Sequence, residues 1–292
     1  MDAVSVAWDT LRGAIAPVGD VATTTPTREA IAAFDGSAEA GRRAVVMWIA
    51  RAAREAPMTV AVTGPVVRER ALRVAAGVFA PCPDRSSALS AVLDAHRRAA
   101  PRDGRIGVTR TLVGADRDVV IVGFRGADSN DASRMRALAV AAGAIERRFR
   151  AGSIDGAIGA ARIISRPSLA SRGRGVFAIE VTTKPGSADA ARRFWLGFLR
   201  GLIERGLASD EVAEIAGAQA DSAASLMTDA GYWSWVAPGA AFRGFDVDAL
   251  GGADRAYASL TAAQVNDALR AFGGPDERWF EVTVRAAPDA GR

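Results

Sequence analysis

The chain has 292 residues, 49% hydrophobic and 24% charged, a balance that favours one or two folded domains with sizeable cores over disorder. No apolar run approaches the roughly 18 residues of a membrane span, and the start at Met1 lacks the basic and apolar segments of a secretory signal, so a cytoplasmic protein with no membrane partner is expected. Cys82 is the only cysteine, which excludes an internal disulfide framework and any multi-cysteine metal site.

The isoelectric point near 10.1 rests on a net charge of only +4. Lys184 is the single lysine, so arginine, whose pKa stays above about 12, sets the value. The arginines are dispersed among acids and fit the alanine-rich bias of a GC-rich genome, so no nucleic-acid partner is expected.

In chain order, Trp8, Leu11 and Ile15 lie on one face of a short helix that Pro17 and Gly19 end. A loop through Thr23 to Thr27 leads into a helix over 28–34, and a second over 38–55 carries Val45, Val46, Met47, Trp48 and Ile49. Residues 58–63 read as a strand ending at Gly64 and Pro65. Residues 66–79 read as a helix with Val67, Leu72, Val74 and Val78 inward. Polar punctuation over 85–104 marks a linker. It separates a first region, 1–84, from a domain over 105–292.

That domain opens with strands over 105–113 and 118–124, joined by four residues that suit a hairpin turn. Ser129 or Asn130 can cap a helix reaching Arg150, with Met135, Leu138, Val140, Ala141, Ile145 and Phe149 on its buried side. A strand over 158–164 and a Ser/Arg/Gly loop follow.

The segment from Gly175 to Arg285 has the clearest pattern. A β-branched and aromatic run over 176–183 reads as a strand, with a turn at Lys184, Pro185 and Gly186. A helix over 187–205 places Phe194, Trp195, Phe198, Leu199, Leu202 and Ile203 on one face, and Gly206 stops it. Ser209, Asp210 and Glu211 start the next helix, whose stripe is Val212, Ile215, Ala216, Ala223 and Leu226. Thr261 and Gln264 form a capping-box pattern before a helix, and 279–284 is the closing strand. The order ββ-α-ββ-ααα-β argues for an α+β layered fold, an antiparallel or mixed sheet with helices packed on one face.

Arg147, Arg148 and Arg150 end a helix, where they could bind a peptide carboxylate or carbonyl or answer the helix dipole. Tyr232, Trp233 and Trp235, followed by Phe242 and Phe245, concentrate aromatic area suited to a core or to a partner interface. His96, the only histidine, has no identifiable acid/base partner, and Cys82 between prolines has no identifiable activating base. The phrase Gly152 to Gly156 follows a helix and reads as a turn.

Several phrases in correct order resemble the pitrilysin-like M16 metallopeptidases, the family of the mitochondrial processing peptidase. Ser209 to Val212 after Gly206 and Leu207 is similar to the family's G-x-T-x-x-E-L helix start, and 260–268 to its VT-x-x-D-V helix. Residues 26–31, 58–64 and 79–81 resemble the end of the family's first domain. The resemblance covers about two thirds of the chain. It implies the M16 layered fold, with 1–84 as a shortened N-terminal region.

Catalytic members carry H-x-x-E-H, two histidines one helical turn apart that hold zinc and a glutamate that activates water. Nothing in this sequence matches it, so no catalytic residue and no metal site are expected in this chain. Family members also place a substrate-binding Arg and Tyr in the second domain. Arg148 or Arg150 would stand in for that arginine, with no tyrosine following. The resemblance therefore implies a non-catalytic subunit forming a heterodimer with a zinc-bearing M16 peptidase. Zinc would sit only in the partner, and the substrate would be a peptide or unfolded segment, such as a small precursor peptide of a bacterial pathway. A stand-alone peptide-binding or scaffold homodimer is the alternative, and a cryptic enzyme using Cys82 or a serine a third.

Overall fold

The computed structural model describes residues 2–15, 39, 43, 46–47, 49–50, 60–79, 104–128, 131–154, 156, 158–167, 174–243 and 250–287. The apolar run β2 (Asp118–Arg125) is buried along its whole length, as a strand covered on both faces must be. It pairs antiparallel with β4 (Val176–Thr183) on one side and with β5 (Trp279–Ala287) on the other. β3 (Ala160–Arg166) adds antiparallel to β4, and β1 (Ile106–Val113) runs parallel to β5, giving the order β1-β5-β2-β4-β3. The expected hairpin between β1 and β2 is therefore corrected. The closing strand inserts between them, a long-range pairing to which the local turn chemistry of 114–117 is blind.

The period of 2 sorts the side chains to two faces. Val120, Val122 and Phe124 align with Val181, Ile179 and Phe177 across the β2/β4 ladder. They form the larger core with helices α3 (Ala132–Arg150), α4 (Ala188–Arg205) and α8 (Ala262–Gly273). The α4 stripe is buried at Trp195, Leu199, Leu202 and Ile203. Phe194 and Phe198 sit edge-on to Trp195, with centroids 5.3 and 5.5 Å away. On the opposite face α1 (Ala3–Ile15) lays Ala3, Ala7, Trp8, Leu11 and Ile15 against a core that includes Val119, Ile121, Phe280, Val282 and Val284. The expected helical layer is present, and α1 adds a cover to the second face.

The helix ends have specific causes. Asp131, rather than Ser129 or Asn130, caps α3, its carboxylate accepting from the Arg134 N–H at 3.2 Å. Thr261 and Gln264 form the expected capping box. Ser187 makes no side-chain cap for α4. Its place is taken from β2, where the buried Asp118 Oδ2 accepts from the backbone N–H groups of Gly186 at 2.9 Å and Ala188 at 3.1 Å. Its Oδ1 accepts from the Ala286 N–H at 2.8 Å. Gly206, at φ 77°, ends α4, and a Cβ there would come within 2.8 Å of the Asn266 side chain. Asn266, from α8, holds the following turn by accepting from the Leu207 N–H at 2.8 Å and donating to the Leu207 carbonyl at 3.0 Å.

By contacts the chain divides into two units, 1–23 with 99–222 and 253–292, and 24–98 with 223–252. Helix α1, grouped by sequence with the residues up to 84, belongs to the sheet unit. The division falls within α5 (Ser209–Met227), whose stripe is buried at Val212, Ala216 and Ala223 while Leu226 is exposed. α7 (Ala253–Ala258) belongs to the sheet unit.

The second unit holds α2 (Arg68–Phe79) and α6 (Ala230–Arg243). Residues 60–63 form no strand, and Val67, Leu72, Val74 and Val78 are exposed rather than inward. Among the described residues no strand pairs with 60–63, so none of them offers a sheet on which such a helix can pack. The helix expected over 28–34, most of that over 38–55, and Cys82 and His96 lie outside the described residues.

Asp118→Ala leaves three backbone donors without their acceptor, so it is expected to cost about 1–3 kcal/mol of stability. The check is a lowered urea midpoint at unchanged slope.

Candidate functional site

The last turn of α3 presents three arginines, and the structure gives each a carboxylate. Arg148 forms a bidentate pair with Glu211 of α5, Nε at 2.7 Å and Nη2 at 2.6 Å. Arg147 donates to Glu214 on the same helix, and Arg150 to Glu146 one turn back at 2.5 Å. Glu211, in the first turn of α5, and Glu214 thus clamp that helix to the basic end of α3, and both helix dipoles favour the Arg148–Glu211 pair. Arg147 and Arg150 are largely exposed, whereas Glu211 keeps only 14% of its side-chain surface. A peptide carbonyl or carboxylate would meet these guanidiniums in competition with their own carboxylates.

Tyr232, Trp233 and Trp235 all lie on α6. The Trp233 indole N–H donates to the Met227 carbonyl at 2.8 Å, and its ring stands edge-on to Tyr232 at 5.5 Å. Trp235 is 80% exposed. In the same unit the Thr63 hydroxyl donates to the Ala230 carbonyl at 3.1 Å. An apolar groove of about 400 Å³ runs along α2, lined by Val60, Val62, Val66, Val74, Val78 and Phe79 among others. An indole and a row of valines left in water are the kind of surface that marks an interaction site.

Sequence reasoning missed the buried carboxylates of the sheet. Glu281, near the start of β5, accepts from Arg192 of α4 at 2.6 Å and from Arg105. The chain of pairs continues from Arg105 to Asp276, which Arg200 meets at 2.9 Å, and from Arg192 towards Asp189, which Arg285 meets at 2.8 Å. On the other face Glu180 of β4 accepts from the Trp8 indole N–H at 2.5 Å and from Arg162 at 3.2 Å. The available signal was a lone acid inside an apolar strand, as in Ile179-Glu180-Val181 and Phe280-Glu281-Val282. Such an acid must be paired if it is buried.

Among the described residues no group of three or more His, Cys, Asp or Glu side chains is placed to hold a metal ion. None of the helices described is long and apolar enough to cross a membrane.

No protein-family model and no curated protein matches the sequence. Solved structures do match in fold. An inactive M16 peptidase domain from Pseudomonas fluorescens superposes with a TM-score of 0.59 at 15% identity, over 77% of this chain and 52% of that one. The periplasmic protease PqqL from Escherichia coli gives 0.61 at 15% identity, over 77% of this chain and 25% of that one. The ferredoxin protease FusC, in complex with Arabidopsis ferredoxin, gives 0.59 at 12% identity, over 76% and 24%. This chain has the M16 peptidase fold. It spans about half the length of the first of these structures and about a quarter of the other two.

Two outcomes are expected from the ion pairs. Burial raises the Glu281 carboxyl, but hydrogen bonds and charge from Arg105 and Arg192 outweigh this and hold it below the ordinary 4.5. Folded protein therefore binds this proton less readily than unfolded chain. The stability Glu281 contributes is full above the unfolded value and is lost as pH falls through the folded one. Urea midpoints measured from pH 6 down to pH 3 should show the gap between the natural protein and Glu281→Gln narrowing below about pH 4.5. A double-mutant cycle of Arg148→Ala and Glu211→Ala should give a coupling of about 0.5–1.5 kcal/mol.

Proposed function

Taking the M16 fold as premise, we propose that this chain is a non-catalytic M16-like subunit that pairs with a separate zinc-bearing M16 peptidase and helps enclose its peptide substrate. The observation that carries the reading is a conjunction. The fold is that of M16 structures over 77% of the chain, while the sequence holds a single histidine, His96, so it cannot supply the two zinc-binding histidines of H-x-x-E-H. A domain of the same fold from Pseudomonas fluorescens is described as inactive, and FusC, a protease of this fold, was solved with a protein bound, ferredoxin.

Two features of the chain support association. The apolar groove along α2 and the exposed Trp235 give the second unit a surface that a partner would cover. Among the described residues β1 and β3 are each paired along one side only. Their outer edges offer the backbone donors and acceptors by which an extended peptide adds to a sheet. On this reading zinc belongs to the partner, and Arg147, Arg148 and Arg150 are the candidate peptide contacts. The same apolar surface also suits a second copy of this chain, a stand-alone homodimer.

The test is co-expression with the H-x-x-E-H protein encoded nearest to this one, followed by mass measurement and peptidase assays with and without this chain. The expected result is a heterodimer whose peptide cleavage falls by roughly tenfold or more when this chain is omitted, the scale on which misplaced substrate lowers rate. A peptidase fully active alone, with this chain recovered as a homodimer, would transfer the assignment to the scaffold reading.

A further inference from the structure

On the sheet face covered by α1 lies a pocket of about 280 Å³. Its apolar lining is Trp8, Leu11 and Ile15 from α1, Pro167, and Val176 from β4, and its charged lining is Arg12, Arg166 and Arg174. Leu11, Ile15 and Trp8 are buried, whereas Arg166 is exposed. No carboxylate is among the described residues that line it.

The aromatic wall is fixed before any ligand arrives. The Trp8 indole N–H is spent on Glu180, at 2.5 Å, and Glu180 also accepts from Arg162 at 3.2 Å, so its charge is answered outside the pocket. The Arg166 guanidinium lies 5.4 Å from the centre of the Trp8 ring. A guanidinium stacked on an indole is oriented and partly desolvated, yet keeps its N–H edge for a planar anion. Arg12 pairs with Asp9 at 2.7 Å, which leaves the Arg166 fork as the cation the proposal uses.

We propose that this pocket binds a carboxylate carried on a short apolar body. The body would rest on Leu11, Ile15 and Val176 beside Trp8, and the carboxylate would meet the Arg166 fork. The volume limits the body to about one large side chain or a short alkyl chain, since drug-sized ligands occupy pockets of about 300–1,000 Å³. A planar monoanion matches the single stacked guanidinium better than a phosphate dianion does. Two sources share this chemistry, the apolar C-terminal residue of a peptide and a short fatty acid. The proposal does not depend on a peptidase partner.

Isothermal titration of the full chain with octanoate and octanamide, and with Ala-Ala-Leu as free acid and as C-terminal amide, tests it. At least one acid is expected to bind at one site per chain, its amide weaker by roughly tenfold or more, the worth of a charge-assisted hydrogen bond. Arg166→Gln should weaken the acid by a similar factor. Binding of octanoate alone identifies the fatty-acid source, and binding of the peptide acid alone identifies a chain terminus. Either upholds the proposal. Absence of binding by both acids overturns it, as does equal binding of acid and amide, a comparison that needs no variant to fold. Undiminished binding in Arg166→Gln, checked for an unchanged melting curve, overturns it too.

Discussion

The carboxylate of Asp118 is the constraint on which the sheet and its helical layer jointly depend. It stands at the first residue of the central strand, 1% exposed, and reaches two elements that are distant in sequence. With one oxygen it receives the N–H groups at the start of α4, and with the other the Ala286 N–H near the end of β5. A charge so deeply buried is tolerable only when its lone pairs are filled, and here three backbone donors fill them. The same bonds satisfy N–H groups that a helix start leaves over and place a negative charge at the positive end of the helix dipole. They also fix where β5 must lie against β2, and so where β1 must lie beyond β5.

Much of this architecture is legible in the sequence because it is written in local periodicity. The run from Val176 to Thr183, the stripe of Trp195, Leu199 and Leu202, the stop at Gly206 and the capping box at Thr261 each need only neighbours a few residues away. The insertion of β5 between β1 and β2 is not written there. Its information is shared among residues more than 150 positions apart, such as Ile121 opposite Val282, and a four-residue connection that looks like a hairpin turn is compatible with either outcome. The start of α4 is a related case. Ser187 has the right chemistry in the right place, but Asp118, from another element, holds the donors.

The candidate site was legible as residue types and not as partnerships. Arg147, Arg148 and Arg150 stand out as a basic helix end, and only the fold shows that Glu211 and Glu214 arrive two helices later to meet the first two. Trp235 could be named as aromatic area but not as exposed area. Glu180 and Glu281 read as blemishes in apolar strands and proved to be the points at which α1 and α4 are tied to opposite faces of one sheet.

These ties hold the fold together from within. Among the described residues, the buried carboxylates Asp118, Glu180 and Glu281 are all satisfied by donors of the chain itself, backbone N–H groups, an indole and guanidiniums. Each therefore contributes its orientation and charge pairing without a metal ion to neutralise it. The two cores are likewise closed by apolar side chains, Phe124 and Phe177 stacked at 4.9 Å in one and the α1 stripe in the other. A sheet held in this way draws its stability from pairings within the chain.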